Sequence, residues 1–136
     1  PLTETSLIGH WLTPDLGRIA TVAKGARRAK SPFRGKLDLF FLAEFSFARS
    51  RRSDLHTLRE IALQEMHPLL RRELGWLQQA AYATELIELA TEVETPLPEL
   101  FALLSDFLRH LPTHAPGALA LVAGGIHRAR PGCHAS

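Results

Sequence analysis

The sequence predicts an α+β protein, with strands first and helices after. Up to about residue 65 the apolar residues fall into short strand-like segments separated by turn signals. From Pro68 onward they recur at intervals of three and four, as on one face of a helix. Two patterns segregated in this way mean α+β and two modules, drawn here at residues 1–66 and 67–136. A small Greek-key barrel is the economical home for the strands, because closure removes their edges.

Each element has its own signal. Residues 5–13 are β-prone, and Pro14-Asp15-Leu16-Gly17 is a turn in which Pro presets φ and Gly is free to turn left-handed. Residues 17–24 alternate, Ile19 and Thr21 against Ala20 and Val22, so the two segments read as a hairpin. Gly25–Gly35 has no apolar period and reads as a solvated loop. From Leu37 to Phe47, the residues Leu39, Phe41, Ala43, Phe45 and Phe47 share one parity, as on a strand with a buried face. Residues 49–54 are a basic, polar turn. Asp54–Met66 fits a helix through Leu55, Leu58, Ala62 and Met66, or a strand through Leu55, Thr57, Arg59 and Ile61; periodicity alone does not choose.

Leu70, Leu74, Leu77, Ala81, Ala83, Leu86, Ile87 and Ala90 predict an amphipathic helix from about 68 to 93. Thr95-Pro96-Leu97-Pro98 breaks it. Pro98 suits the first turn of the next helix, which carries Leu100, Phe101, Leu104, Phe107, Leu108 and Leu111 as its stripe and stops at Pro112. Ala118–Val122 is a weak start for a third helix, undercut by Gly124-Gly125.

Charge is distributed as unevenly as pattern. Ten of the sixteen Lys and Arg residues lie between Arg18 and Arg52. Residues 1–52 hold ten bases against four acids, a net +6; residues 53–136 hold six bases against ten acids, a net −4. A β-rich unit with a basic face, joined to an acidic helical unit, points to a polyanion ligand. No apolar run reaches the ~20 residues that cross a bilayer. The start, Pro1-Leu2-Thr3-Glu4, lacks the basic n-region of a signal peptide, and the missing initiator Met suggests a truncated chain. The single cysteine, Cys133, excludes an internal disulfide and a four-cysteine zinc site. These features together predict a cytosolic protein.

Catalytic motifs are missing. The sequence holds no GxSxG, P-loop or HExxH pattern, and the basic half offers only four widely spaced acids where a metal-dependent nuclease would cluster carboxylates. The seven histidines are scattered; His127, Cys133 and His134 lack a fourth ligand. The expectation is a non-enzyme without a cofactor or metal.

At this point the residues resemble a known family. Glu4-Thr5-Ser6-Leu7-Ile8, Leu12-Thr13 and Gly17-Arg18 look like the N-terminal part of the bacterial DNA repair protein RecO. So, above all, do Val22-Ala23-Lys24-Gly25-Ala26-Arg27-Arg28 and Phe33-Arg34-Gly35. Asp54-Leu55, Thr57-Leu58-Arg59-Glu60 and Leu70-Arg71-Arg72 continue the similarity, which runs from Thr3 to about Leu111. The resemblance implies an N-terminal OB-fold, a five-stranded barrel, followed by a helical domain that is partial here, and it makes the segment from Asp54 largely strand. It implies DNA repair and recombination after DNA damage through binding of single- and double-stranded DNA and strand annealing. It also implies partnership with RecR and single-strand binding protein to load RecA, in the cytoplasm on the nucleoid. Family members carry another strand before the position of Pro1 and run considerably longer, and some have a four-cysteine zinc motif that this chain lacks.

Lys24, Arg27, Arg28, Lys30, Arg34 and Lys36 are the leading candidates for DNA contact, with Arg18 alongside. The run has no interleaved acid, and its Gly and Pro suit a mobile phosphate grip beside a barrel groove; a basic solvated face is the plain alternative. Arg49, Arg51 and Arg52 either extend that groove or anchor a duplex, or else form a charged turn. Phe33 either stacks on a base or anchors the loop. Trp11 and the phenylalanines of 40–47 read as core. The leading expectation is a DNA-binding recombination mediator that neutralises two strands at once and so lets them pair. A protein-interaction module whose basic loop meets an acidic partner is the rival. An RNA-binding OB protein shares every electrostatic feature and differs only in 2′-hydroxyl recognition.

Overall fold

A computed structural model describes residues 4–113. The expected third helix at Ala118–Val122, Gly124-Gly125, and the group His127, Cys133 and His134 lie outside the described residues.

Four strands form one sheet: β1 (Leu7–Thr13), β2 (Gly17–Ala23), β3 (Leu42–Ala48) and β4 (Leu55–Glu65). A 3₁₀ turn at Pro68–Arg72, helix α1 (Leu74–Ala90), helix α2 (Pro98–His110) and a second 3₁₀ turn at Leu111–Thr113 follow. Strands precede helices, as the two patterns predict. The sheet order is β1-β2-β4-β3. β1 and β2 pair antiparallel from Leu7↔Ala23 to Thr13↔Gly17, β2 and β4 pair parallel at Ala20↔Leu55 to Val22↔Thr57, and β3 and β4 pair antiparallel.

The expected five-stranded closed barrel is corrected to four strands in an open sheet, among the described residues. The sheet is nevertheless strongly curled. Trp11 on one outer strand stacks on Phe45 of the other, with ring centroids 4.2 Å apart. Outer strands of a flat four-stranded sheet would be three inter-strand spacings apart, roughly 14 Å, so that contact requires curvature. Twin register shifts along β3–β4, between Leu42 and Ala43 and between Ser46 and Phe47, supply part of it by adding local twist.

Alternation along β1 gives each face its own core. Trp11 points inward to Ile19, Ala23, Ala43, Leu58 and Ile61; its neighbour Leu12 points outward into a cluster with Leu70, Ala80, Ala83, Ile87, Leu100, Leu104, Leu108 and Leu111. The Trp11 Nε1–H donates to Thr21 Oγ1 at 2.9 Å, so the one polar atom of this buried ring is satisfied. The helices therefore cover the outer face of the sheet and share its residues.

Two boundaries depart from expectation. β3 starts at Leu42 rather than Leu37, because Phe40 has φ 66 and breaks the extended run. Its ring is turned into the helical core, and Arg71 holds the bend: its guanidinium donates to the Leu39 carbonyl at 2.9 Å and sits 5.4 Å above the Phe41 ring. The single helix expected over 68–93 is split. Glu73 is extended (φ −133, ψ 126), leaving a 3₁₀ turn before α1, and α1 ends at Ala90 with Thr91 extended. α2 begins on Pro98 as expected, with Glu99 in its first turn and Arg109 and His110 in its last, a charge order that suits the helix dipole. The segment from Asp54 is strand.

Candidate nucleic-acid interface

The Lys24–Lys36 loop leaves the sheet at the end of β2, and it is built rather than loose. A chain of tight turns runs through it: Arg28 N–H donates to the Gly25 carbonyl, Ser31 to Arg28, Arg34 to Ser31 and Lys36 to Phe33, at 3.0–3.2 Å. Arg27 N–H reaches back to the Thr5 carbonyl at 2.8 Å. Gly25 (φ +68) and Gly35 (φ +74) turn the chain left-handed where an L side chain would be strained. Two residues pin the loop to the sheet: Ala26 and Phe33 are buried in the Trp11 cluster. These restraints give the loop a defined shape, a platform seated on the sheet.

Phe33 is accordingly the loop's anchor. Its ring is 8% exposed and packed among sheet residues, so this conformation offers no open face to a base and, of the two readings, has the geometry of the anchor. Around it the cations point outward. Lys24, Arg27, Arg28, Lys30 and Arg34 are exposed and Lys36 is half-buried. The ion pairs among the described residues are Arg49–Glu94, His56–Glu94, Arg71–Asp38 and Arg109–Asp106, and none involves these six.

The second cluster lies elsewhere. β2 runs from Gly17 to Ala23, and Arg18 near its start is about 20 Å from Lys24 by strand rise. The Arg49–Asp54 turn sits at the Arg18 end, because Leu55 opens β4 opposite Ala20. The two clusters are thus separate basic regions. Here the linker between the helices intervenes. Arg18 donates through Nε to Thr91 Oγ1 and through its second amino group to the Thr91 carbonyl, both at 2.7 Å. Glu94 N–H donates to the Arg18 carbonyl at 2.8 Å, and Val93 forms a parallel bridge with Arg18. Gly17 makes this docking possible: a Cβ there would fall 2.3 Å from the Thr95 carbonyl oxygen. Arg18 is therefore a tether between sheet and helices in this structure.

Arg49 is likewise engaged. Its guanidinium pairs with the Glu94 carboxylate and lies 5.7 Å from the Phe47 ring centroid. His56, 1% exposed, joins the same carboxylate through Nε2 at 3.3 Å, while its Nδ1 accepts the Ser50 N–H at 2.9 Å. Hydrogen bonds from Arg49 first and His56 second hold the Glu94 carboxyl below the usual carboxylate range. Arg51 and Arg52 remain exposed with no acid partner among the described residues. His56 and Glu94 are the residues that sequence reasoning missed. One is among seven scattered histidines, the other stands in no motif, and their pairing spans 38 positions.

An apolar cavity of about 200 Å³ lies between β1, β2 and α1, lined by Leu12, Ile19, Ile87, Val93 and Leu104, with Arg18 and Glu88 also on its wall. It is a separate feature from the basic loop. Among the described residues no three His, Cys, Asp or Glu side chains come together as a metal group. No helix there is long and apolar enough to cross a membrane.

The family model described as "Recombination protein O N terminal" matches residues 1–67, the segment that holds all four strands and both basic clusters. Among curated proteins, the chain is 43% identical over 100 residues to the DNA repair protein RecO of Idiomarina loihiensis, covering 72% of this chain and 41% of that one. The RecO of Rhodopirellula baltica is 39% identical over 99 residues, covering 73% and 37%. That of Nostoc punctiforme is 32% identical over 129 residues, covering 92% and 42%. The chain spans about two fifths of the length of these relatives. With matches that run through the sheet and into the helices, the chain belongs to the RecO family.

Proposed function

We propose that this chain is the DNA-binding part of a recombination mediator in DNA repair. The observation that carries this is the Lys24–Lys36 platform. Six cations without an acid partner among the described residues stand on a loop fixed by buried Phe33 and Ala26. Unpaired cations at fixed spacing bind phosphates without first breaking an internal contact, and each phosphate bound releases counterions. The names of the curated relatives, all DNA repair proteins, support the same reading.

The ligand is single- or double-stranded DNA, gripped by its backbone. Neutralising two strands on one face lowers their mutual repulsion, so complementary strands anneal with no covalent step, cofactor or nucleotide hydrolysis. RecR and single-strand binding protein are the partners that the family suggests for recombinase loading, with RecA served indirectly, in the cytoplasm on the nucleoid.

The test is fluorescence anisotropy of a labelled single-stranded oligonucleotide across a salt series. Six neutralised phosphates on a single strand give a slope of log K against log salt of roughly −4. The Lys24, Arg27, Arg28 triple alanine variant should lose most of the affinity. Absent binding at low salt would sink the proposal, and tighter binding of a matched RNA would turn it towards an RNA-binding function.

A further inference from the structure

The linker acid Glu94 occupies an unusual position. Its backbone is left-handed, with φ +54, a region that side-chain-bearing residues seldom adopt. The contact with the Arg18 carbonyl holds its amide there, and its carboxylate lies between two donors from the sheet. One is the Arg49 guanidinium, backed by the Phe47 ring. The other is His56, whose tautomer is set by its surroundings: Nδ1 accepts the Ser50 N–H, so Nε2 carries the proton and directs it at Glu94. A buried ring and an exposed guanidinium thus converge on one anionic group. Arg51 and Arg52, both exposed, follow Arg49 on the same turn.

We infer that Arg49 and His56 form a phosphate seat at the Arg18 end of the sheet. Glu94 fills this seat in the free protein, and a nucleic-acid backbone phosphate enters it by displacing Glu94. The inference deepens the DNA-binding reading and rests on it for the identity of the phosphate. Exchange is feasible because the Arg49–Glu94 pair is solvent-accessible, and such pairs contribute little net stability. A phosphate offers Arg49 the same charge-assisted bond, and Arg51 and Arg52 raise the local concentration of anions. The coupling is reciprocal: DNA at this seat loosens the linker, and whatever pulls the linker away opens the seat.

The test uses the whole chain at fixed low salt. Glu94→Gln keeps the shape and removes the charge, and should tighten binding of a labelled single-stranded oligonucleotide about two- to fivefold, the factor equivalent to an exposed ion pair. In an Arg49→Ala background the same substitution should change nothing. Glu92→Gln, which removes a charge from the same linker without touching the seat, should leave affinity within error. Equal affinity of Glu94→Gln and the unaltered chain overturns the inference, as does equal tightening with and without Arg49. If Glu94→Gln fails to fold, Glu94→Asp, which keeps the charge but shortens the reach, serves in its place.

A second arm needs no DNA. Inorganic phosphate is titrated while the His56 imidazole signals, assigned with a His56→Asn variant, are followed by NMR. Glu94→Ala should show a saturable shift at lower phosphate than the unaltered chain; no shift in Glu94→Ala overturns the seat. If no form of the chain binds the oligonucleotide but phosphate still reaches His56, the DNA reading falls and the seat stands.

Discussion

The loop from Lys24 to Lys36 and the turn from Arg49 to Asp54 both follow a strand and both carry clustered cations, yet their side chains end differently. On the loop, buried Phe33 and Ala26 hold the backbone to the sheet, while five exposed basic groups and half-buried Lys36 have no acid partner among the described residues. On the turn, Glu94 takes Arg49, and Thr91 of the same linker takes nearby Arg18. Counting charges along the sequence treats the two alike. What separates them is the linker between the helices, which pairs with Arg18 and Arg49 and with none of the loop's six cations.

The comparison is broken most severely by removing the loop's anchor. Phe33→Ala deletes a buried ring and should cost about 3–5 kcal/mol of folding stability, measured by urea denaturation. It should also raise hydrogen exchange at the Arg27 amide, which bonds to Thr5. A loss below about 1 kcal/mol, the range of ordinary surface substitutions, would mean that the loop does not depend on this ring.

Gly17→Ala attacks the other region. The new methyl would lie 2.3 Å from the Thr95 carbonyl oxygen, at a backbone φ of +74. Overpacking and a disfavoured φ together should cost about 1–3 kcal/mol, with exchange rising at the Glu94 amide. Denaturation separates this from Gly35→Ala. Gly35 also has positive φ but nothing within 4 Å, so only the conformational part of the cost should remain.

Much of this layout was legible in the sequence, for identifiable reasons. The β1–β2 hairpin was readable because Pro14–Gly17 is a local turn signal, and α2 because Pro98 and its leucine stripe are local too. Phe40 was misread as strand because its conformation depends on Arg71, thirty-one positions later, and on the helical core that receives its ring. Loop residues have no period to follow, so the sequence does not choose between base and core for Phe33. Sequence groups the basic residues as a set, but it does not show that Thr91 and Glu94 of the linker engage Arg18 and Arg49, because the linker's reach is a tertiary fact. His56 and Glu94 had no sequence signal at all.

Salt dependence sharpens the contrast with a smaller effect. Replacing Lys24, Arg27 and Arg28 by alanine removes three unpaired charges and should flatten the slope of log K against log salt by about 2. Replacing Arg49, Arg51 and Arg52 should flatten it by only about 1.4, since Glu94 already offsets Arg49 within the protein. Equal changes would show that the linker does not withhold Arg49 from DNA.

The mildest probe is acid, and its sign follows from Glu94. Arg49 and His56 hold the folded carboxyl below its ordinary range, so ionised Glu94 stabilises the docked linker. That contribution is complete above the unfolded value, near pH 4.3, and is lost as pH falls through the lower folded value. Lowering pH from 5 to 3 should therefore weaken the linker while sparing the loop, whose turns rest on backbone bonds and buried Phe33. Hydrogen exchange, corrected for its intrinsic pH dependence, reads both regions at once. Protection at the Glu94 amide, bonded to the Arg18 carbonyl, should fall over this range, and protection at the Arg27 amide should not. In Glu94→Gln the acid-dependent part should vanish. A parallel loss at both amides would instead report global acid unfolding, and would remove the distinction between a fixed loop and a linker-controlled turn.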